Sequence, residues 1–176
     1  MEKPLAPDEK AEKIIAAISQ AFGTVLRGQG ISLHEADALD SYASVDQLER
    51  ARQLDTDIHW WEIAPEALER FNGVLIYANA EGFRYYIPAY MTLALRTWQS
   101  GSLSVDAAIS SLFPVTPNVS ERYALLDDNQ KKCIAQFLWF MATESDNHWM
   151  NKLKVYNATR ALEDLWYPYL EGGEVP

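Results

Sequence analysis

Side chains capable of acid–base chemistry are most concentrated in residues 55–62, which read Asp-Thr-Asp-Ile-His-Trp-Trp-Glu. On a helix that begins at Asp57, His59 and Glu62 lie one turn apart, within hydrogen-bonding reach of each other. A neighbouring carboxylate favours the charged form of a histidine, as a general acid or a pH sensor requires. In the alternative interpretation Asp57 caps a short turn while His59 and Glu62 face water.

Two adjacent tryptophans, Trp60 and Trp61, give this segment a second possible role. Neighbouring side chains on a helix point about 100° apart, so burying one leaves the other partly exposed. Exposed Trp is enriched among the side chains that anchor protein–protein contacts. Trp60 and Trp61 are therefore candidate binding residues, with packing of both inside the core as the alternative.

An aromatic run with one charge follows at residues 83–86, Phe-Arg-Tyr-Tyr. On a β-strand, Phe83 and Tyr85 share one face, and Arg84 and Tyr86 share the other. One face must pack on the core, and the other is a candidate recognition surface that carries the Arg84 charge. An arginine flanked by tyrosines also stacks in purely structural contacts, so both interpretations stay open.

Familiar catalytic and metal-binding motifs do not occur in the sequence. His34-Glu35 begins like the zinc motif H-E-x-x-H, but residue 38 is Ala and the second ligand is missing. The single cysteine, Cys133, lies in an apolar helical stretch, where a packed thiol is expected. We therefore predict no catalytic residue, no metal ion and no cofactor.

The charge of the chain is unevenly distributed. Asp and Glu total 25 against 15 Lys and Arg, a net charge of −10, which disfavours binding to nucleic acid or to anionic lipid. Residues 32–66 hold nine acids against Arg50 and Arg52, a net charge of −7. This is either a solvated face or a surface that steers a basic protein partner, with Asp37, Asp40 and Asp46 as candidate contacts.

Periodicity and capping patterns predict an α+β fold, mainly α, in which about seven helices pack around one small antiparallel β-hairpin at residues 74–87. The Ser-x-x-Glu and Ser-x-x-Gln patterns at Ser32 and Ser44 predict two short helices, 33–42 and 45–54. Pro88 is expected to stop the second strand and begin a helix. The other predicted helices cover residues 8–27, 65–71, 105–112, 128–145 and 148–166.

The length fits a single domain, residues 1–176, with frayed ends at 1–7 and 170–176. No stretch approaches the ~20 apolar residues of a membrane span, and the first residues lack the apolar core of a signal peptide. We therefore expect a cytoplasmic protein that does not enter a membrane, and its oligomeric state stays open.

Two runs, Asp-Ile-His-Trp at 57–60 and Phe-Arg-Tyr-Tyr-Ile-Pro-Ala-Tyr-Met at 83–91, resemble an uncharacterised bacterial family, a domain of unknown function of the DUF6714 group. The resemblance covers roughly residues 55–100 and, more weakly, the Trp-rich C-terminal half. It implies a small bacterial α+β domain with no established activity, and it transfers no catalytic residue. Immunity proteins of bacterial toxin systems are similarly small and acidic, which is an analogy of class only.

Three functional hypotheses follow. The first is a non-enzymatic interaction module, comparable to an immunity protein or inhibitor, that binds a basic protein through the acidic surface at 32–66. The second is an enzyme or small-ligand binder whose pocket lies between the hairpin and residues 55–62 and uses His59, Glu62, Arg84 and Tyr86. The third is a structural subunit of a larger assembly. We favour the first, because no catalytic motif supports the second.

Overall fold

The computed structural model describes residues 5–100, 102–113, 119–144 and 152–170, and within these ranges the protein is built from helices. Short 3-10 and π turns complete the path at Trp60–Glu62, Leu162–Trp166 and Tyr167–Tyr169. The helices are α1 Pro7–Phe22, α2 Leu33–Asp40, α3 Val45–Arg52, α4 Pro65–Arg70, α5 Val74–Tyr77, α6 Ala80–Arg96, α7 Leu103–Ser111, α8 Val119–Arg122, α9 Asp128–Thr143 and α10 Lys152–Ala161.

The predicted β-hairpin at residues 74–87 is wrong, and with it the α+β class. Its two strands are replaced by the helices α5 and α6, and the described residues contain only an isolated bridge between Leu26 and His59. The turn expected at residues 79–82 is a helix start, where the Asn79 side chain accepts the Gly82 N–H at 3.0 Å. The fold is therefore mainly α.

Pro88 lies inside α6 instead of at its beginning. A proline at this position has no N–H to offer the carbonyl of Arg84, and this normally disfavours a helix interior. Helix α6 is nevertheless buried on nearly all sides, with Phe83, Tyr86 and Tyr90 fully enclosed. We attribute the helix to this burial, which outweighs the β propensity of the aromatic residues and the break expected at proline.

The short helices predicted from capping patterns are confirmed. The Ser32 N–H donates to the Glu35 carboxylate at 3.1 Å, and the Glu35 N–H donates to the Ser32 hydroxyl at 3.4 Å. At the start of α3 the Ser44 N–H donates to the Gln47 side chain at 2.8 Å. Asp127 caps α9 by accepting the Gln130 N–H at 2.9 Å.

Buried side chains form one continuous cluster that extends along the chain from Ala11 to Trp166. Helix α1 packs on both α6 and α9. By contrast, α3 has no buried residue, and α2 is the helix it packs against. The pair α2–α3 thus lies on the outside of the core, and it carries much of the acidic segment identified in the sequence.

Some predictions fall on parts of the chain outside the described residues. They include the start of the last predicted helix, 148–151, and most of the ends expected to be frayed, 1–7 and 170–176. Within the described ranges, no helix combines the length and apolar character needed to cross a bilayer.

Candidate functional site

A cavity of about 240 Å³ lies between α2 and the segment that runs from Arg70 to Tyr77. Its buried lining is apolar, and its exposed lining is charged or polar except for Ile76. Helix α2 contributes positions 33, 36, 37 and 40, the spacing of one helical face. We call this cavity the α2–α5 groove, with a floor of Leu33, Ala36, Phe71 and Val74 and a rim of Asp37, Asp40, Arg70 and Tyr77.

Two carboxylates mark the end of the groove nearest the C-terminus of α2. The Tyr77 hydroxyl donates a hydrogen bond to the Asp40 carboxylate and so connects α5 to α2. This bond raises the pKa of Tyr77, because ionising the phenol breaks the bond and places a second negative charge beside Asp40. Asp37 is exposed one turn earlier on the same face of α2.

Residues 71–77 run past α2 in the opposite direction, since Tyr77 bonds to Asp40 at the end of α2 and Phe71 packs on His34 at its start. Arg70 directly precedes Phe71, which puts it on the side of the groove toward the start of α2. Its guanidinium lies 5.0 Å from the centre of the Phe71 ring, and that ring packs 4.6 Å from the ring of His34, in the first turn of α2. Buried Asp55 holds this turn in place by accepting the His34 N–H at 2.9 Å, and its other oxygen lies 2.8 Å from the His34 Nδ1. The groove therefore has a cationic end and an anionic end.

Tyr42 follows α2 and stands almost entirely in solvent, with 97% of its surface exposed. Its φ of +55° lies in the left-handed region. The Tyr42 and Ala43 N–H groups donate to the carbonyls of Leu39 and Ala38, the pattern of a Schellman helix end. Glycine is usual at this position, and a residue with a Cβ costs about 1 kcal/mol there. Tyr42 lies close enough to Tyr77 to contribute to its raised pKa.

The two tryptophans have different environments. Trp60 is 3% exposed, and its indole N–H donates to the Phe22 carbonyl at 3.0 Å, so it is a core residue. Trp61 is 51% exposed and stacks on His59 with ring centres 4.3 Å apart. Leu26 lies opposite His59 in the isolated bridge. Trp61 is therefore the available anchor of the pair.

The Glu62 carboxylate caps the turn at 60–62 and makes no hydrogen bond to the His59 ring. It accepts the N–H groups of Ile58 and His59 at 3.0 and 2.9 Å. These two bonds lower the pKa of Glu62, the one from His59 most, because they stabilise its charged form. The His59 Nδ1 is enclosed without a hydrogen-bond partner in the described residues. This arrangement gives no acid–base pair.

Arg84 and Tyr86 make contacts of their own. The Arg84 Nε donates to the Gln130 side chain on α9 at 2.9 Å. Tyr86 is buried, its hydroxyl accepts a long hydrogen bond of 3.5 Å from Arg27, and burial raises its pKa to about 12. Neither residue, and neither His59 nor Glu62, lines the α2–α5 groove. The second hypothesis places a pocket between a hairpin and residues 55–62. Because residues 74–87 form no hairpin, that pocket lacks one of its two predicted sides.

Some acidic side chains of residues 32–66 form ion pairs inside the fold, and others are exposed and unpaired among the described residues. Glu35 pairs with Arg52 at 2.9 Å, and Asp55 is buried against His34. In the described part of the chain Asp37, Asp46 and Glu49 are exposed without an ion pair. No three His, Cys, Asp or Glu side chains in these ranges lie close enough to hold a metal ion.

Sequence reasoning identified Asp37 and Asp40 but missed Tyr42, Arg70 and Tyr77. Tyr77 falls in the predicted hairpin at 74–87, and Arg70 in the short helix predicted at 65–71. Tyr42 is the last residue of the helix predicted at 33–42, whereas the observed α2 ends at Asp40 and leaves Tyr42 at a position where glycine or asparagine is usual.

The model of a family described as a family of unknown function (DUF6714) matches residues 10–170. The match includes both runs on which the sequence resemblance rests. No curated protein and no solved structure matches the chain.

Proposed function

The chain belongs to the family of unknown function DUF6714, and we propose that it is a non-enzymatic interaction module that binds a basic segment of another protein in the α2–α5 groove. The observation that carries this proposal is the apolar groove edged by Asp37 and Asp40. Neutralising a cationic toxin domain is one role that such a module serves. A cytoplasmic location, expected from the sequence, is part of the proposal.

The size of the groove favours a protein side chain as its occupant. Pockets for drug-sized ligands usually measure about 300–1,000 Å³, whereas this groove measures about 240 Å³. An arginine or lysine side chain has an apolar stem, which suits the floor of Leu33, Ala36 and Val74, and a charged head, which suits the carboxylates of the rim.

Charge and aromatic exposure add to this argument. Asp46 and Glu49 are exposed on α3, the helix that packs on α2, and acidic surfaces accelerate encounter with basic partners. Tyr42 is held in an unfavourable backbone conformation at the end of α2, and its side chain is almost fully exposed. Strain of this kind concentrates at functional positions. Tyr42 therefore serves as an aromatic anchor beside the groove, with Trp61 as a second exposed aromatic residue.

The proposal is tested with a fluorescently labelled hexa-arginine peptide, titrated at several salt concentrations. The test variant combines Asp37→Asn with Asp46→Asn, two exposed carboxylates without an ion pair in the described residues. The control combines Glu12→Gln with Asp128→Asn, which changes the net charge equally on α1 and α9.

We expect the test variant to bind about fivefold more weakly than the wild type, since two partly screened charges are lost near the site. Its affinity should also depend less on salt. Equal weakening by the control variant would show that net charge alone attracts the peptide, and would reject the groove as the binding site.

A further inference from the structure

Negative and positive side chains lie at different ends of the α2–α5 groove, although the surface around it is acidic as a whole. Asp37 and Asp40 lie toward the C-terminal end of α2, where Tyr77 holds Asp40. Arg70 lies toward the N-terminal end, as its contact with Phe71 and the packing of Phe71 on His34 show. A ligand with only positive charges would satisfy Asp37 and Asp40 but leave Arg70 without an opposite charge.

Arg70 is available to a ligand. It is exposed at the rim, and no carboxylate pairs with it among the residues that the structure describes. Its contact with Phe71 engages the ring face and leaves guanidinium N–H groups for a planar acceptor. A carboxylate accepts two parallel hydrogen bonds from this fork.

We infer that the α2–α5 groove selects an extended peptide that carries a basic residue at the Asp37 and Asp40 end and an acidic residue at the Arg70 end. This inference rests on the proposed function and specifies the chemistry of the partner segment. It also explains why an arginine occupies the rim of a groove on the most acidic part of the chain.

The length of α2 sets the spacing between the two charges of the peptide. Residues Leu33 to Asp40 span about 10 Å at 1.5 Å per residue. An extended chain advances about 3.3 Å per residue. A peptide that follows the full length of α2 therefore carries its basic and acidic residues three positions apart, with two small residues between them.

The test compares two peptides with blocked termini and opposite residue order, Arg-Ala-Ala-Glu and Glu-Ala-Ala-Arg. Each is also made with its Glu replaced by Gln and, separately, with its Arg replaced by Gln. The sign of the glutamate effect is decisive. On a uniformly acidic surface, a glutamate in the ligand weakens binding by repulsion. In a groove with a cationic end, it strengthens binding.

The proteins are the wild type, Arg70→Gln and the control Arg50→Gln, which removes an exposed arginine on α3 that does not line the groove. Dissociation constants come from amide chemical shifts in NMR titrations, and thermal unfolding checks that each variant is folded. We expect the glutamate to strengthen binding at least threefold in the better direction, for the wild type and for Arg50→Gln. For Arg70→Gln we expect this advantage to vanish.

The outcomes separate the two claims. If the glutamate weakens binding in both directions, or if Arg50→Gln loses the advantage as fully as Arg70→Gln, the directional groove is rejected. The proposed function then stands as long as replacing the peptide's Arg by Gln still weakens binding. If that replacement leaves the affinity unchanged, both claims fail.

Discussion

Tyr77 on α5 donates its hydroxyl hydrogen to the carboxylate of Asp40 on α2, and this bond joins the two walls of the groove. It holds one carboxylate of the proposed cation site in a fixed position. Asp40 keeps lone pairs for a ligand, because a carboxylate accepts more than one hydrogen bond.

The Tyr77–Asp40 bond predicts a loss of stability at high pH. The pKa of Tyr77 is raised in the folded chain, chiefly by this bond, so the stabilisation is complete below the unfolded value near 10 and falls as the pH rises through the folded value. Urea unfolding of the wild type and Tyr77→Phe between pH 8 and about 11.5 should show a difference that is constant at first and then shrinks. A difference independent of pH would contradict the assignment.

Tyr42→Gly should stabilise the fold and weaken binding. Glycine adopts a φ of +55° without the Cβ penalty, so the free energy of unfolding should rise by up to about 1 kcal/mol. The loss of the exposed ring should lower the affinity for the hexa-arginine peptide. Tyr42→Phe is the control, because it keeps both the strain and the ring, and should match the wild type in stability. A Tyr42→Gly variant no more stable than Tyr42→Phe would refute the strain.

Two glycines should respond oppositely to alanine. A Cβ on Gly30 would lie 2.4 Å from the backbone nitrogen of Gly82, so Gly30→Ala should destabilise the fold by about 2 kcal/mol or more in urea unfolding. A Cβ on Gly73 would have no atom within 4 Å. Gly73→Ala should therefore be neutral or gain up to about 1 kcal/mol. Similar losses in both variants would contradict the close contact of Gly30 with the start of α6.

Cys133 should be an unreactive thiol. It is buried in α9, and burial raises its pKa to about 11, so little thiolate forms at pH 8. Ellman's reagent should modify the native chain far more slowly than the chain unfolded in urea. Comparable rates in the two states would show that the thiol is accessible.

Local sequence rules were sufficient for the short outer helices. Ser32 and Ser44 cap α2 and α3 through hydrogen bonds between residues three apart, so a pattern of four residues predicts each start. Asp37 and Asp40 were singled out by the charge of residues 32–66 and not by capping patterns. The sequence left open whether one tryptophan of the pair is exposed or both are packed in the core, and the structure exposes Trp61.

The central helix required information that the local sequence does not contain. Residues 83–87 are rich in aromatic and β-branched types, which favour strands when half-buried. Here Phe83, Tyr86 and Tyr90 are enclosed by surrounding helices, so tertiary burial decides the conformation. The groove was missed for the same reason, because residues 74–77, predicted as a strand, form the helix from which Tyr77 bonds to Asp40.

The location of peptide binding tests the account most directly. In a titration with the Arg-Ala-Ala-Glu peptide, monitored by amide chemical shifts of the labelled wild-type chain, we predict the largest changes at residues 36–42 and 70–77, the two walls of the groove. Changes that are largest around Trp61, or spread over exposed carboxylates throughout the chain, would contradict the groove as the binding site.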